Sequence, residues 1–180
     1  LEDTMVYFKI AGCDLTMAET DNRGTVFFGH WNRDKFLELA ATTPALHYDL
    51  TRVTGIDSLP QVANPNILFY LDAASDVTGR NIIKNGVCEE LYLTMGYDYY
   101  AQQPFTARRA VFDPQSSSTK WQYIALPFDC EVPEGSRARR IKKLSNILIS
   151  ESDEVNTTLK ACTPYLYRTT RPGEDRITAT

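Results

Sequence analysis

The sequence predicts a mainly β protein with minor α structure, in which a short leucine-rich-repeat-like segment of parallel strands precedes an antiparallel β-sandwich. In the first half, apolar segments with a period of two recur, and their last leucines, Leu50, Leu71 and Leu93, lie 21 and 22 residues apart. In the second half, short strands alternate with Pro and Gly and show no helical period. Residues 1–104 hold seven basic and 14 acidic residues, whereas residues 105–180 hold 12 and nine. We therefore predict domains at 1–103 and 104–180.

The first elements along the chain are two strands and one helix. Residues 5–10 and 25–28 are rich in β-forming side chains and predict strands. Asn32 can cap a helix in which Phe36 and the apolar residues that follow it recur at helical spacing, and Pro44 would end it. A helix that leads into a strand fits one half of a solenoid repeat.

The repeat predicts that Leu50, Leu71 and Leu93 lie on neighbouring parallel strands, with their side chains buried in one row. Thr54-Gly55, Asn64-Pro65-Asn66 and Asn85-Gly86 supply breaks between these strands. The alternative is an ordinary sheet of antiparallel strands that are evenly spaced by coincidence, because the complete leucine-rich-repeat motif is absent.

The second half predicts five short strands, at residues 105–112, 120–126, 138–144, 147–150 and 165–170. The prolines fall between these strands or at their ends, where a missing backbone donor does least harm. In the second of them Trp121 alternates with Tyr123, and we predict that Trp121 lies in the core.

The overall composition excludes several classes of protein. The chain has 180 residues and a net charge of −4, which argues against a general nucleic-acid binder, since phosphate contacts require an excess of basic residues. No apolar run approaches the ~18 residues of a membrane span, so we expect no membrane insertion by this chain.

Four cysteines, Cys13, Cys88, Cys130 and Cys162, are too far apart for the close pairs used by zinc sites. Two disulfides in an oxidising compartment remain open, but buried free thiols are favoured because a chain of this size can form an adequate core.

A set of short segments occurs in one order along the chain: Asn64-Pro65-Asn66 with LFYL, NIIKNGVC with LYLT, Gly96-Tyr97-Asp98-Tyr99-Tyr100, Phe105-Thr106-Ala107, Trp121, ALPF and Thr163-Pro164-Tyr165-Leu166. Together these segments resemble the C-terminal region of secreted, often leucine-rich-repeat, surface proteins of the Bacteroides type. The resemblance spans roughly residues 46–170 and implies an exported bacterial protein, located outside the cell or at its surface. It implies no catalytic residues. The chain lacks the expected upstream repeat array, which suggests a fragment or a minimal relative.

No catalytic constellation is evident. His30 and His47 occupy no recognisable motif, and we expect His47 to be solvated on the outer face of its strand. The candidate acid pairs are Asp72 with Asp76, Glu89 with Glu90, and Asp153 with Glu154, and a glycosidase would need such a pair across a cleft. We interpret them as solvated loop charges, and we predict no cofactor and no metal ion.

A basic run at residues 137–143 could attract surface polysaccharide or nucleic acid, but we favour an edge strand protected by its charges. The aromatic residues Trp31, Tyr97, Tyr99, Tyr100 and Trp121 could present flat faces to sugars, and the alternative is that their rings fill the core and the junction between the domains.

The best candidate for ligand contact is the segment Tyr97, Asp98, Tyr99 and Tyr100, because tyrosine combines an apolar face with a hydroxyl and Asp98 can accept hydrogen bonds. A purely structural joint is the competing interpretation. We predict a non-enzymatic exported surface module for adhesion, glycan contact or structural spacing, whose partner is a surface polysaccharide or a host protein and not a nucleic acid. The alternative is a glycan-active enzyme or the accessory carbohydrate-binding domain of one.

Overall fold

A computed structural model of the chain describes residues 14–19, 23–42, 45–145 and 148–180. It is mainly β with one α-helix in these residues, which confirms the predicted fold class. The chain divides into two compact units: the first comprises Leu1–Glu89 and Asp98–Thr106, and the second comprises Glu90–Tyr97 and Ala107–Thr180. The predicted division at residue 103 stays a prediction. The predicted strand at residues 5–10 lies outside the described residues.

The first unit contains a mixed sheet and the helix. Its elements are β1 (Thr16–Glu19), β2 (Gly24–His30), α1 (Arg33–Thr42), β3 (His47–Thr54), β4 (Leu68–Leu71), β5 (Ile82–Lys84) and the start of β6 (Val87–Thr94). The sheet order is β1-β2-β3-β4-β5-β6. The pairs from β2 to β5 are parallel, whereas β1 and β6 pair antiparallel with their neighbours.

The parallel strands confirm part of the predicted repeat. In the β3–β4 register Asp49 lies opposite Tyr70, so the next residues, Leu50 and Leu71, are also neighbours, and both are buried. The prediction for Leu93 is wrong: β5 follows β4 in the sheet, and Leu93 lies on β6, which is antiparallel to β5. The two strands are joined at Asn85 and Gly86, whose φ values of 49° and 72° form the tight hairpin that reverses the chain.

The helix begins as predicted from its cap. The Asn32 side-chain oxygen accepts a hydrogen bond from the Lys35 backbone N–H at 2.9 Å. Phe36 is buried against β2 and β3, with its ring centroid 5.1 Å from that of Phe27 and 5.2 Å from that of Tyr48. These rings form the core between α1 and one face of the sheet. The predicted terminator Pro44 lies outside the described residues.

The opposite face of the same sheet is also covered, and the expectation of a solvated His47 is wrong. His47 is completely buried, and its ring centroid lies 5.7 Å from that of Tyr70 and 6.0 Å from that of Tyr100. Parallel sheets are commonly covered on both faces, and the alternation in a strand does not reveal such double coverage.

The second unit is built from antiparallel pairs. Its remaining strands are β7 (Thr106–Asp113), β8 (Gln122–Ile124), β9 (Cys130–Glu131), β10 (Ser136–Ser145), β11 (Leu148–Val155), β12 (Thr158–Leu159), β13 (Tyr165–Thr169) and β14 (Ile177–Ala179). β14 pairs with β7, β12 pairs with β9, and a four-stranded sheet has the order β11-β10-β13-β8. The antiparallel prediction is confirmed for these sheets.

The basic run of residues 137–143 lies in β10, which has β11 on one side and β13 on the other. The interpretation as an edge strand is therefore wrong. Two of the run's five basic residues instead pair with acidic residues of β11: Arg137 contacts Glu154 at 2.6 Å, and Lys142 contacts Asp153 at 2.5 Å.

Candidate functional site

The four predicted ligand-contact residues do not fall in one unit. Tyr97 belongs to the second unit and is 49% exposed, whereas Asp98, Tyr99 and Tyr100 belong to the first. The Asp98 side chain is exposed, and its backbone carbonyl accepts a hydrogen bond from the Asn64 side-chain amide at 3.0 Å. Whether the segment binds a ligand stays a prediction.

Within the first unit, Tyr99 and Tyr100 have structural contacts. Burial raises the pKa of the Tyr99 hydroxyl to about 12, with smaller contributions from Tyr70 and Cys88. The Tyr100 ring packs beside His47 and carries the Arg23 guanidinium 4.5 Å from its centroid. These contacts favour a role in covering the sheet for this pair of rings.

A pocket of about 640 Å³ lies beside this segment in the first unit. Asp98 and Asn64 contribute polar groups to it, while Leu37 and Ala40 of α1 and Ile67 contribute apolar side chains. Of the four predicted ligand-contact residues, Asp98 is therefore the one that lines this pocket.

The interpretation of the candidate acid pairs as loop charges is wrong for two of them: Glu89 and Glu90 lie in β6, and Asp153 and Glu154 lie in β11. Glu90 pairs with Arg109 at 2.5 Å, and the Asp72 carboxylate accepts a hydrogen bond from the backbone N–H of Ala74 at 2.9 Å. Within the described part of the chain, no group of three or more His, Cys, Asp or Glu residues could hold a metal ion.

Among the described residues, Asp113 has the most buried carboxylate, and it was not one of the predicted candidate acids. The Asp113 carboxylate forms an ion pair with Arg176 at 2.9 Å. It also accepts hydrogen bonds from the Tyr92 hydroxyl at 3.2 Å and from the Gln115 backbone N–H at 3.0 Å. Because Gln115 has a φ of 51°, this carboxylate stabilises a strained turn. We interpret Asp113 as structural.

Among the described cysteines, Cys88, Cys130 and Cys162 are free, and the first two are buried as expected while Cys162 is exposed. Burial raises the pKa of the Cys130 thiol to about 11, with a further contribution from the negative charge of Asp129. A thiol with such a pKa is a poor nucleophile at neutral pH, since the thiolate is the reactive form.

No helix in the part of the chain that the structure describes is both long enough and apolar enough to cross a membrane.

One face of the four-stranded sheet is exposed and carries large aromatic side chains. Four residues, one from each strand, lie opposite one another across the sheet: Tyr123 of β8, Leu166 of β13, Arg139 of β10 and Glu154 of β11. Directly opposite residues of antiparallel strands project to the same side, so these four side chains form a row across the sheet.

A second row lies beside the first on the same side of the sheet. Arg168 of β13 is opposite Arg137 of β10, and the Arg168 guanidinium carbon lies 5.5 Å from the centroid of the Trp121 ring. We call the two rows together the aromatic face, which consists of Trp121, Tyr123, Arg137, Arg139, Glu154, Leu166 and Arg168.

The prediction that Trp121 lies in the core is wrong. Trp121 is 38% exposed and Tyr123 is 58% exposed, whereas the next residue, Ile124, is buried. Trp121 directly precedes β8, and the alternation correctly placed its ring on the same side as that of Tyr123. The alternation could not identify which side is buried, because both sides of this strand carry apolar residues.

The aromatic face has the chemical features of a binding surface. Two of the three exposed large hydrophobic residues in the described chain, Trp121 and Tyr123, lie on it. Exposed rings cost hydrophobic free energy, and clustered exposed apolar surface commonly marks an interaction site. The adjacent guanidinium groups supply hydrogen-bond donors in a fixed fork. Tyr123 and Arg168 were not among the predicted site residues, although the W-x-Y alternation was a visible signal for the first.

No family model matches the chain, and no match was found among curated proteins or among solved structures.

Proposed function

We propose that the chain is a non-enzymatic binding module of an exported bacterial surface protein, and that it contacts glycans through the aromatic face. The observation that carries the proposal is the exposure of Trp121 and Tyr123 together on one side of a β-sheet. A pyranose ring has an apolar C–H face and a rim of hydroxyl groups. Flat aromatic rings complement the first, and side-chain donors and acceptors complement the second.

A sheet face suits this role because the underlying strands hold the side chains in place. Tyr123 lies on β8, whose backbone pairs with β13, and Trp121 is in contact with Arg168 of β13. Such preorganisation reduces the conformational entropy lost on binding.

The resemblance to secreted surface proteins supports export and a role in adhesion, glycan contact or structural spacing, with surface polysaccharide or a host protein as the partner. Protease treatment of intact cells that express the native gene tests this location. Cleavage of the protein without lysis is expected, whereas protection until the cells are lysed would argue against surface exposure.

A glycan array and native affinity electrophoresis in polysaccharide-containing gels test the binding. The wild-type protein should be retained by at least one polysaccharide, and Trp121→Ala and Tyr123→Ala should each weaken retention by about tenfold, which corresponds to ~1.4 kcal/mol. Both residues are exposed, so the thermal midpoint should change little.

Tyr97→Ala and Asp98→Asn are matched comparison variants, because they alter the segment that the sequence predicted. If only these variants lose retention, the binding site lies in that segment and not on the aromatic face. If no glycan retains the wild-type protein, the proposed function is overturned.

Assays with chromogenic glycosides distinguish the alternative, a glycan-active enzyme. Turnover that disappears when one acid pair is replaced would contradict a non-enzymatic module, whereas binding without turnover is the expected result.

A further inference from the structure

We infer that the glycan bound by the aromatic face is anionic, with carboxylate or sulfate groups; this inference rests on the proposed function. The face has a positive charge. It carries three arginines and one glutamate, a balance of +2, although the whole chain has a net charge of −4. The local charge is thus opposite in sign to the net charge of the chain.

The three arginines differ in how they are held. Arg137 donates from Nε and Nη2 to the same Glu154 oxygen, at 3.0 and 2.6 Å. Arg139 donates from Nε to the Ser152 hydroxyl at 2.9 Å and from Nη2 to the Ser152 backbone carbonyl at 2.8 Å. Both guanidinium groups are therefore oriented within the face, and each has five N–H donors, so donors remain for a ligand.

Arg168 is the arginine best placed to meet an anion beside a stacked sugar. Its guanidinium lies over a face of the Trp121 ring, with the central carbon 5.5 Å from the ring centroid. A carboxylate that binds this guanidinium would bring its sugar ring against the exposed part of Trp121 and the exposed Tyr123 ring. A guanidinium fork binds carboxylate in a bidentate manner, which makes arginine more selective for such groups than lysine.

The spacing of the three arginines suits a polymer of charged sugar residues. Arg168 and Arg137 lie on adjacent strands, which are about 5 Å apart, and Arg139 lies on the same strand as Arg137 at a distance of two residues. The three guanidinium groups thus form a cluster beside the aromatic rings. A polymer with regularly spaced anionic groups can contact several of them simultaneously.

The observations favour an anionic glycan over a nucleic acid. One of the three arginines is already paired with Glu154, so the face offers fewer cationic groups than a long phosphate backbone requires, whereas a carboxylate on a sugar needs a single guanidinium fork. Single-stranded nucleic acid also uses rings and arginines, so it is included as an arm of the test.

The test compares polygalacturonate with the neutral galactan obtained from it by carboxyl reduction, in native affinity electrophoresis. The variants are Arg168→Gln, Arg168→Lys and, as a charge-matched control outside the face, Arg33→Gln at the exposed start of α1. Circular dichroism verifies that each variant is folded.

We expect the wild-type protein to bind polygalacturonate at least about tenfold more tightly than the neutral galactan. Arg168→Gln should remove most of this preference, Arg168→Lys should retain part of it, and Arg33→Gln should have no effect. Raising NaCl from about 0.05 M to about 0.5 M should weaken binding to polygalacturonate only, because salt screens the charge interaction.

Equal binding to both polymers would overturn the inference that the ligand is anionic, while leaving the proposed function in place. Loss of all retention in Trp121→Ala with an unchanged preference in Arg168→Gln would also overturn it. Tighter binding to an oligothymidylate than to polygalacturonate would overturn it in favour of nucleic acid. Failure of the wild-type protein to bind any glycan on the array would overturn the proposed function itself.

Discussion

Three buried leucines on strands of different direction contribute strongly to the stability of the chain. Leu50, Leu71 and Leu93 are each at most 2% exposed. Replacing any one by Ala removes buried methyl groups and leaves a cavity, so we expect a loss of about 2–5 kcal/mol in the free energy of unfolding. Urea denaturation measures it. Leu37→Ala, at a partly buried position on α1, is the control and should cost less; equal costs at all four positions would contradict this assignment.

Gly24 is required because of the side chain beside it. A Cβ built on Gly24 would overlap the imidazole ring of the buried His47, which lies opposite it in the β2–β3 register. Gly24→Ala must displace that ring, and overpacking of this kind costs about 1–3 kcal/mol. Urea denaturation of the single variant measures this cost.

A double-mutant cycle identifies the cause of that cost. If the ring is responsible, Gly24→Ala should be less destabilising in a His47→Ala background than in the wild type, with a coupling free energy of about 0.5–3 kcal/mol. Strict additivity of the two substitutions would show that the imidazole does not explain the requirement for glycine.

The residues that were predicted wrongly share a physical explanation. His47 and Trp121 were each placed on a face by alternation, and the alternation itself was correct. Which face becomes buried depends on what packs against it from distant parts of the chain. Tyr100 covers His47, whereas Trp121 contacts Arg168 and stays 38% exposed. A single sequence encodes the strand period locally, but long-range packing decides the burial.

At the scale of single elements, local signals predicted secondary structure well and the pairing of strands poorly. The α1 helix followed from Asn32 and the apolar spacing, and β3 and β4 followed from their leucine alternation. The two-residue Asn85-Gly86 sequence was interpreted as a break before another parallel strand, although it is a strong hairpin signal. The same turn therefore explains why β6 reverses direction.

The β10–β11 pair shows why charge alone does not define a binding element. The basic residues of β10 are divided by the pleat between two faces and are partly paired with β11 acids. Only Arg137 and Arg139 of this run belong to the aromatic face. Arg168, from another strand, completes the group, and sequence proximity gives no indication of that association.

A charged contact joins Asp129, just before β9, to the segment that follows β12. The hydrogen bond from the Lys160 ammonium at 2.6 Å and the backbone N–H of Ala161 at 2.7 Å hold the pKa of Asp129 below its ordinary value of 3.8. Because the folded pKa is lower than the unfolded one, this contact favours folding above pH ~3.9, and the contribution is lost as the pH falls through the folded pKa.

A carboxyl NMR titration should therefore give Asp129 a pKa below that of an ordinary aspartate. Lys160→Met should raise the pKa of Asp129 part of the way towards 3.8, since the bond from Ala161 remains. Lys120→Met, at an exposed loop position, should leave it unchanged. An ordinary pKa for Asp129 in the wild-type protein would contradict the contact.

At the scale of the whole molecule, charge and exposed apolar surface are distributed unevenly. The chain is acidic overall, yet the aromatic face of the second unit has a positive balance and holds two exposed rings. The first unit buries its aromatic residues Phe27, Phe36 and Tyr48 in the core beneath α1. This contrast is why we propose that the aromatic face, and not the segment Tyr97–Tyr100, binds the ligand.

The described cysteines offer a test of the packing of each unit. Cys88 lies in the first unit and is fully buried, Cys130 lies in the second and is 6% exposed, and Cys162 is exposed in a turn with a φ of 53°. In a Cys13→Ser background at about pH 8, we expect one thiol to react rapidly with a disulfide reagent in the native protein, because reactivity requires exposure and thiolate.

The other two thiols should react only as urea unfolds the unit that contains each. Cys130 is doubly protected, since its burial and the nearby Asp129 charge also raise its pKa to about 11. Cys162→Ser should abolish the rapid phase and leave the slow one intact. Mass spectrometry of the labelled peptides assigns each phase to its cysteine. Labelling of Cys88 in the native protein at the rate of Cys162 would contradict the burial of β6 in the first unit.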